Sequence, residues 1–164
     1  NAEIPMDKQK LLQSVIRLIE GELEAARAAA SSAVEAATAE ENRPENQFDT
    51  RALEASFLAR GQANRVAELE HGIKVLRELP LKNLANQDPI QTGALVTVDC
   101  EGVEQMHFVL PAGAGLQVLE GKSRISIVTT SSPLGTELLG KNVGDSFVFK
   151  RGPSSKEYEI LAIG

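Results

Sequence analysis

Four carboxylates fall inside one short run, Glu40-Glu41-Asn42-Arg43-Pro44-Glu45-Asn46-Gln47-Phe48-Asp49: Glu40, Glu41, Glu45 and Asp49. Only Arg43, and Arg51 just beyond, offset them. Carboxylates gathered at a turn can ligate a hard divalent cation such as Mg2+, with water or a partner completing the shell. Alone they are too few for a tight site, and acidic side chains also suit the start of a helix without any metal. Other chemistry-bearing residues are scattered. His71 and His107 stand in different halves, Cys100 has no histidine near it, and Ser131 and Ser132 read as helix caps. Pro111-Ala112-Gly113-Ala114-Gly115 is rich in glycine but follows no phosphate-loop pattern.

The acidic run lies between two long helical patterns. Apolar residues recur at Leu12, Ile16, Ile19, Leu23, Ala26, Ala30, Ala33 and Ala37, and again at Ala52, Ala55, Ala59, Gln62, Val66, Leu69, Ile73 and Leu76. Steps of four and three alternate in both, the period of a coiled-coil seam. An antiparallel hairpin is expected, with Leu12 facing Leu76, Ile16 facing Ile73, Ile19 facing Leu69 and Leu23 facing Val66. Alanine layers follow towards the tip. Pro44 disfavours helix at Arg43, and Asn46 can cap the second helix. Arms of this length reach ~50 Å at 1.5 Å per residue, so the acidic turn reads as the tip of a probe.

Composition narrows the function classes. The chain has 164 residues, 42% hydrophobic and 24% charged, with a net charge of −6. Neither half is basic, which argues against autonomous nucleic-acid binding through many phosphate contacts. One cysteine allows no internal disulfide and points to a reducing, cytoplasmic setting. No run approaches the ~20 apolar residues of a membrane span. Asn1-Ala2 resembles a tag remnant. The expected organisation is residues 1–6 as a start segment, 7–80 as the hairpin, 81–93 as a linker and 94–164 as a β-rich domain.

In that second half, strand patterns occupy Ala94–Cys100, Gln105–Leu110, Leu116–Leu119, Arg124–Thr129, Ser146–Lys150 and Glu157–Ile163. Ser132, Pro133 and Gly140 frame one short helix as its N-cap, first residue and C-terminal stop. Arg151–Ser155 reads as a hairpin loop. The fold class is α+β.

The run Ile125-Ser126-Ile127-Val128, Ser131-Ser132-Pro133-Leu134-Gly135, Leu138-Leu139-Gly140-Lys141, Val143-Gly144-Asp145 and Glu157-Tyr158-Glu159-Ile160-Leu161 resembles the C-terminal domain of the Gre family of bacterial transcription elongation factors. Glu45-Asn46 matches the family's Glu-Asn pair that opens the second helix. The resemblance implies an FKBP-like C-terminal domain that docks on RNA polymerase, with Asn46, Ser132, Pro133, Gly140, Lys141 and Asp145 as partner-binding candidates. It implies a hairpin inserted in the polymerase's secondary channel. Glu45 and Glu41 would then serve as catalytic carboxylates, sharing the polymerase's Mg2+ for two-metal cleavage of backtracked RNA. The chain would have no stably bound cofactor and no activity of its own. It would act as a monomer, off the membrane, and meet nascent RNA and DNA only within the elongation complex.

One position departs from the pattern. Cleavage factors carry an Asp three residues before the matched Glu, where this chain has Asn42. A neutral amide cannot replace a carboxylate's charge, so a polymerase binder without cleavage activity is the competing expectation. An FKBP-type prolyl isomerase or chaperone is a third, weakened by the absence of Trp and by a lone tyrosine, Tyr158, in the closing strand.

Overall fold

The structure is a computed structural model that describes residues 6–39 and 50–164. It divides into two compact units: Asn1–Ile16 with Val75–Gly164, and Arg17–Lys74. No helix among the described residues is long and apolar enough to cross a membrane.

The second unit is built from two helices, α1 (Lys8–Thr38) and α2 (Arg51–Arg77). The expected seam is the protected face of both. Ile19, Leu23, Ala26 and Ala33 are buried on α1, as is Leu69 on α2, while Ala55, Ala59, Gln62 and Val66 are half-buried. Two ion pairs flank the seam, Arg27–Glu70 at 2.7 Å and Arg65–Glu22 at 2.9 Å. They also correct the register. In the expected layers Arg27 and Glu70 would be about 13 Å apart along the axis at 1.5 Å per residue, while Glu22 and Arg65 would be nearly level. Moving each layer by one seam position separates both pairs by about 7.5 Å, in opposite senses. Leu23 then faces Leu69, Ile19 faces Ile73 and Ala26 faces Val66, so heptad position a meets d throughout. Oxidation of a Leu23→Cys/Leu69→Cys variant should therefore crosslink the helices faster than Leu23→Cys/Val66→Cys, read by non-reducing gel.

The first unit carries a six-stranded sheet. Its strands are β1 (Leu95–Cys100), β2 (Val103–Leu110), β3 (Gln117–Glu120), β4 (Ser123–Thr129), β5 (Ser146–Arg151) and β6 (Ser154–Ile163), ordered β3-β4-β2-β1-β6-β5. Only β2 and β4 run parallel. A single short helix, α3 (Pro133–Leu138), follows β4. The α+β class is as expected, with one short helix beside the sheet. Val96, Val98, Cys100, Tyr158 and Ile160 alternate inward on one sheet face and form a core with Val109, Val128 and Leu138. Alternation puts Phe108, Ile125 and Ile127 on the other face, also buried. The same unit includes the first turns of α1, where Leu11, Leu12 and Val15 are buried. Val15 is fully buried where the seam put Ile16, which is only half-buried.

Two turns are tighter than the sequence suggested. Glu101 (φ 54°) and Gly102 (φ 85°) join β1 to β2 in left-handed geometry, the conformation a two-residue hairpin requires. Between β5 and β6 the expected five-residue loop shrinks to Gly152-Pro153. Gly152 takes φ 60°, and strand pairing continues to Arg151 and Ser154.

Residues 81–93, expected as a linker, form a strap fastened to the sheet. Ile90 is buried and exchanges backbone bonds with Gly140 and Lys141, each 2.8 Å. The Asn86 side-chain carbonyl accepts from Ile163 N at 2.9 Å. The Lys8 ammonium donates to the carbonyls of Lys82 and Gly93, the latter at 2.9 Å.

Candidate functional site

The site residues expected at the tip, Glu41, Glu45 and Asn46, together with Asn42, lie outside the described residues. Among the described residues no cluster of His, Cys, Asp or Glu could hold a metal ion. The remaining candidates, Ser132, Pro133, Gly140, Lys141 and Asp145, all belong to one continuous piece of the first unit.

That piece begins where β4 ends. Ser132 caps α3 in extended geometry, and its Oγ accepts from Gly135 N at 3.2 Å. The same hydroxyl donates to the Thr129 carbonyl at 2.8 Å. Pro133 follows as the first helical residue and is exposed. After one and a half turns the helix stops. Gly140 takes φ 78° and donates to Ile90, which holds the stop against the strap. Lys141 lays its ammonium over the Phe147 ring, 5.1 Å from the centroid, a contact that fixes a cation beside an apolar surface.

The piece closes at Asp145. Its carboxylate accepts from Asn142 N at 2.8 Å, and its backbone N–H donates back to Asn142 O at 3.1 Å. Gly144 (φ 91°) and Asp145 then tie this turn to Ile160 of β6. The polar groups of Ser132, Gly140 and Asp145 are thus consumed in holding the loops. Exposed along the piece are Pro133, Glu137 and Val143, with the Lys141 charge half-buried over Phe147.

Behind it lies an aromatic cluster. Tyr158 stacks on Phe147 at 5.3 Å and meets Phe149 edge-on at 6.1 Å. Its hydroxyl is pushed up to about 12, first by burial and then by its hydrogen bond with Cys100. The lone tyrosine is therefore core rather than pocket wall, which further weakens the isomerase reading.

Two residues to which the sequence assigns no specific role matter locally. Gly135 is buried in α3, where a Cβ would enter the Thr129 carbonyl group. His107 is 6% exposed on β2, and neither ring nitrogen has a hydrogen-bond partner. Burial holds its pKa down at about 4 against an ordinary 6.5. The folded chain therefore keeps His107 neutral while the unfolded chain takes up a proton below about 6.5. Its stabilising contribution is complete above that pH and is lost as pH falls towards 4, by up to about 3 kcal/mol. Urea titrations across this window should show that slope, and His107→Leu should flatten it.

These parts define an α+β protein with paired helices in one unit and, in the other, a six-stranded sheet closed by a single Ser-Pro-started helix. Residues 85–164 match the family model described as Transcription elongation factor, GreA/GreB, C-term. Residues 85–164 thus belong to that family, and they contain every described candidate from Ser132 to Asp145. Curated relatives named Transcription elongation factor GreA include one from Clostridium acetobutylicum, 32% identical over 103 residues and 60% of each chain. One from Sinorhizobium medicae is 36% identical over 100 residues, again 60% of each chain. One from Brucella canis is 33% identical over 113 residues, 68% of this chain and 66% of the relative. The chain thus spans about 60% of the length of the first two relatives it matches. The crystal structure of GreA factor homolog 1 (Gfh1) of Thermus thermophilus is 21% identical, covers 91% of this chain and 94% of that one, and has a TM-score of 0.38.

Proposed function

We propose that the chain binds RNA polymerase and modulates transcript elongation. The first unit would dock through the segment from Ser132 to Asp145, and the helix pair would carry the acidic run at 40–49 into the polymerase's secondary channel. The observation that supports this reading most is the family match over residues 85–164, because it contains that whole segment. The GreA relatives are named as elongation factors, and this reading extends their named role to the chain.

In this reading Lys141 supplies a positioned charge and Pro133 an apolar contact, while Ser132, Gly140 and Asp145 hold the loops that present them. At the far end Glu45 and Glu41 would help hold Mg2+ belonging to the polymerase, an ion that supplies Lewis acidity and a more acidic bound water. The chain would have no catalytic centre of its own. RNA and DNA would be met only within the elongation complex, and the chain would act as a monomer. A second reading, binding without cleavage, is favoured by one specific residue, Asn42.

Docking is testable apart from cleavage. Lys141→Glu should weaken binding of the labelled chain to RNA polymerase about tenfold or more, with little change in its melting temperature. Its side chain is half-exposed and lies over the Phe147 ring. Unchanged affinity in a correctly folded variant would remove this segment from the interface.

A further inference from the structure

A groove of about 760 Å3 opens within the first unit, between the start of α1, the strap and the outer faces of β1 and β2. Half-buried Met6, Leu81, Leu95 and Met106 are among its apolar lining. The volume is that of a site able to take several side chains.

Its charge is one-sided. The ionisable side chains in the lining are Asp7, Lys8 and Glu104. Lys8 is already committed, since its ammonium donates to the Lys82 and Gly93 carbonyls and burial lowers its pKa. Asp7 uses one oxygen to cap α1, accepting from Lys10 N at 3.1 Å. Glu104 has no ion pair among the described residues. Strand register extends this acidity beyond the groove. Glu104 lies directly opposite Asp99, and Asp99 directly opposite Glu159, so three carboxylates stand abreast on one face of β2, β1 and β6. Like charges directly opposite one another in a sheet are destabilising. Asp99 already accepts from Gly102 N at 2.9 Å, which leaves the exposed Glu104 and Glu159 as the charges that a cationic partner would meet.

We propose that this groove docks a cationic, apolar-tipped polypeptide segment of a partner protein. Apolar side chains of the segment enter against Leu95 and Met106, and its Lys or Arg side chains lie against Glu104, Asp7 and the Asp99–Glu159 row. Charge complementarity selects the partner and its register, while the apolar lining supplies burial. The surface is separate from the Ser132–Asp145 segment, so the proposal does not rest on polymerase docking.

The chain has two methionines, and both line the groove. Methionine-methyl 13C labelling of the full chain therefore reads the groove directly. Titration with the peptide acetyl-Lys-Leu-Lys-Leu-Lys-Leu-amide should move both methyl signals saturably. Glu104→Gln, at an exposed position, should weaken that binding about fivefold. Raising salt from ~50 to ~500 mM should weaken it further, as expected for partly exposed charges. The peptide acetyl-Glu-Leu-Glu-Leu-Glu-Leu-amide should leave both signals in place. Silence with the basic peptide, an equal response to both peptides, or indifference to Glu104→Gln in the folded chain would each overturn the proposal. A chain lacking residues 1–5 completes the test. If the peptide binds only that shortened chain, the occupant is the chain's own first segment and the proposal falls.

Discussion

Gly135→Ala is expected to destabilise the first unit by about 3 kcal/mol, at the upper end of what overpacking costs. The added Cβ would enter the Thr129 carbonyl, lying 2.8 Å from its carbon and 3.0 Å from Ser132 Oγ. None of these atoms is the free end of a flexible side chain. The Thr129 carbonyl accepts from both the N–H and the hydroxyl of Ser132, at 3.0 and 2.8 Å. Moving it breaks the cap, and with the cap goes the entry of α3. Gly140→Ala is the contrasting case. Nothing lies within 4 Å of its Cβ position, so only the left-handed φ of 78° opposes the change, at about 1 kcal/mol. Urea denaturation of both variants should separate them by about 2 kcal/mol. Equal losses would mean that the Thr129 carbonyl yields freely. Because α3 bears Pro133 and leads through Gly140 to Lys141, Gly135→Ala should also lose polymerase binding.

That contrast marks how far the sequence could be read. Ser132, Pro133 and Gly140 announced a short helix because caps and stops act through residue type, and the structure shows each in its expected place. Strands were legible to within a few residues because alternation records burial on one face. Gly135 looked like an ordinary helical glycine, since the atom that excludes a side chain belongs to Thr129, six residues earlier. The strap read as a linker for a similar reason. Leu84 and Ile90 belong to no continuous helix or strand pattern, and Ile90 is held in place by bonds to Gly140 and Lys141 far along the chain. In the helix pair the seam residues were legible but their pairing was not. A four-three spacing fits itself equally well after a one-layer slip, and the flanking ion pairs decide the register. The partner-facing candidates in the C-terminal piece were named by resemblance. Geometry then shows Ser132, Gly140 and Asp145 bracing the loops, Pro133 exposed, and Lys141 half-buried over Phe147.

Asn42→Asp is expected to raise polymerase-dependent cleavage of backtracked RNA by at least tenfold over the natural chain, with Glu45 still required. The argument is electrostatic. Two carboxylates three residues apart can share a divalent cation and orient its water, each acting as a charged oxygen ligand. An amide at one of the two positions keeps the oxygen but loses the charge, which leaves Glu45 supported only by Glu41 next door. Gels of arrested complexes would compare the natural chain, Asn42→Asp, Glu45→Ala and the double variant. If Asn42 has disarmed the tip, the natural chain cleaves poorly, Asn42→Asp gains activity, and Glu45→Ala removes that gain while affinity for polymerase stays constant. If Glu41 has taken over the missing role, the natural chain already cleaves well, Asn42→Asp adds little, and Glu41→Gln is the variant that fails. Strong cleavage that survives both Glu45→Ala and Glu41→Gln would place the activity outside the acidic run. The helix pair would then have to be explained by something other than delivery of carboxylates.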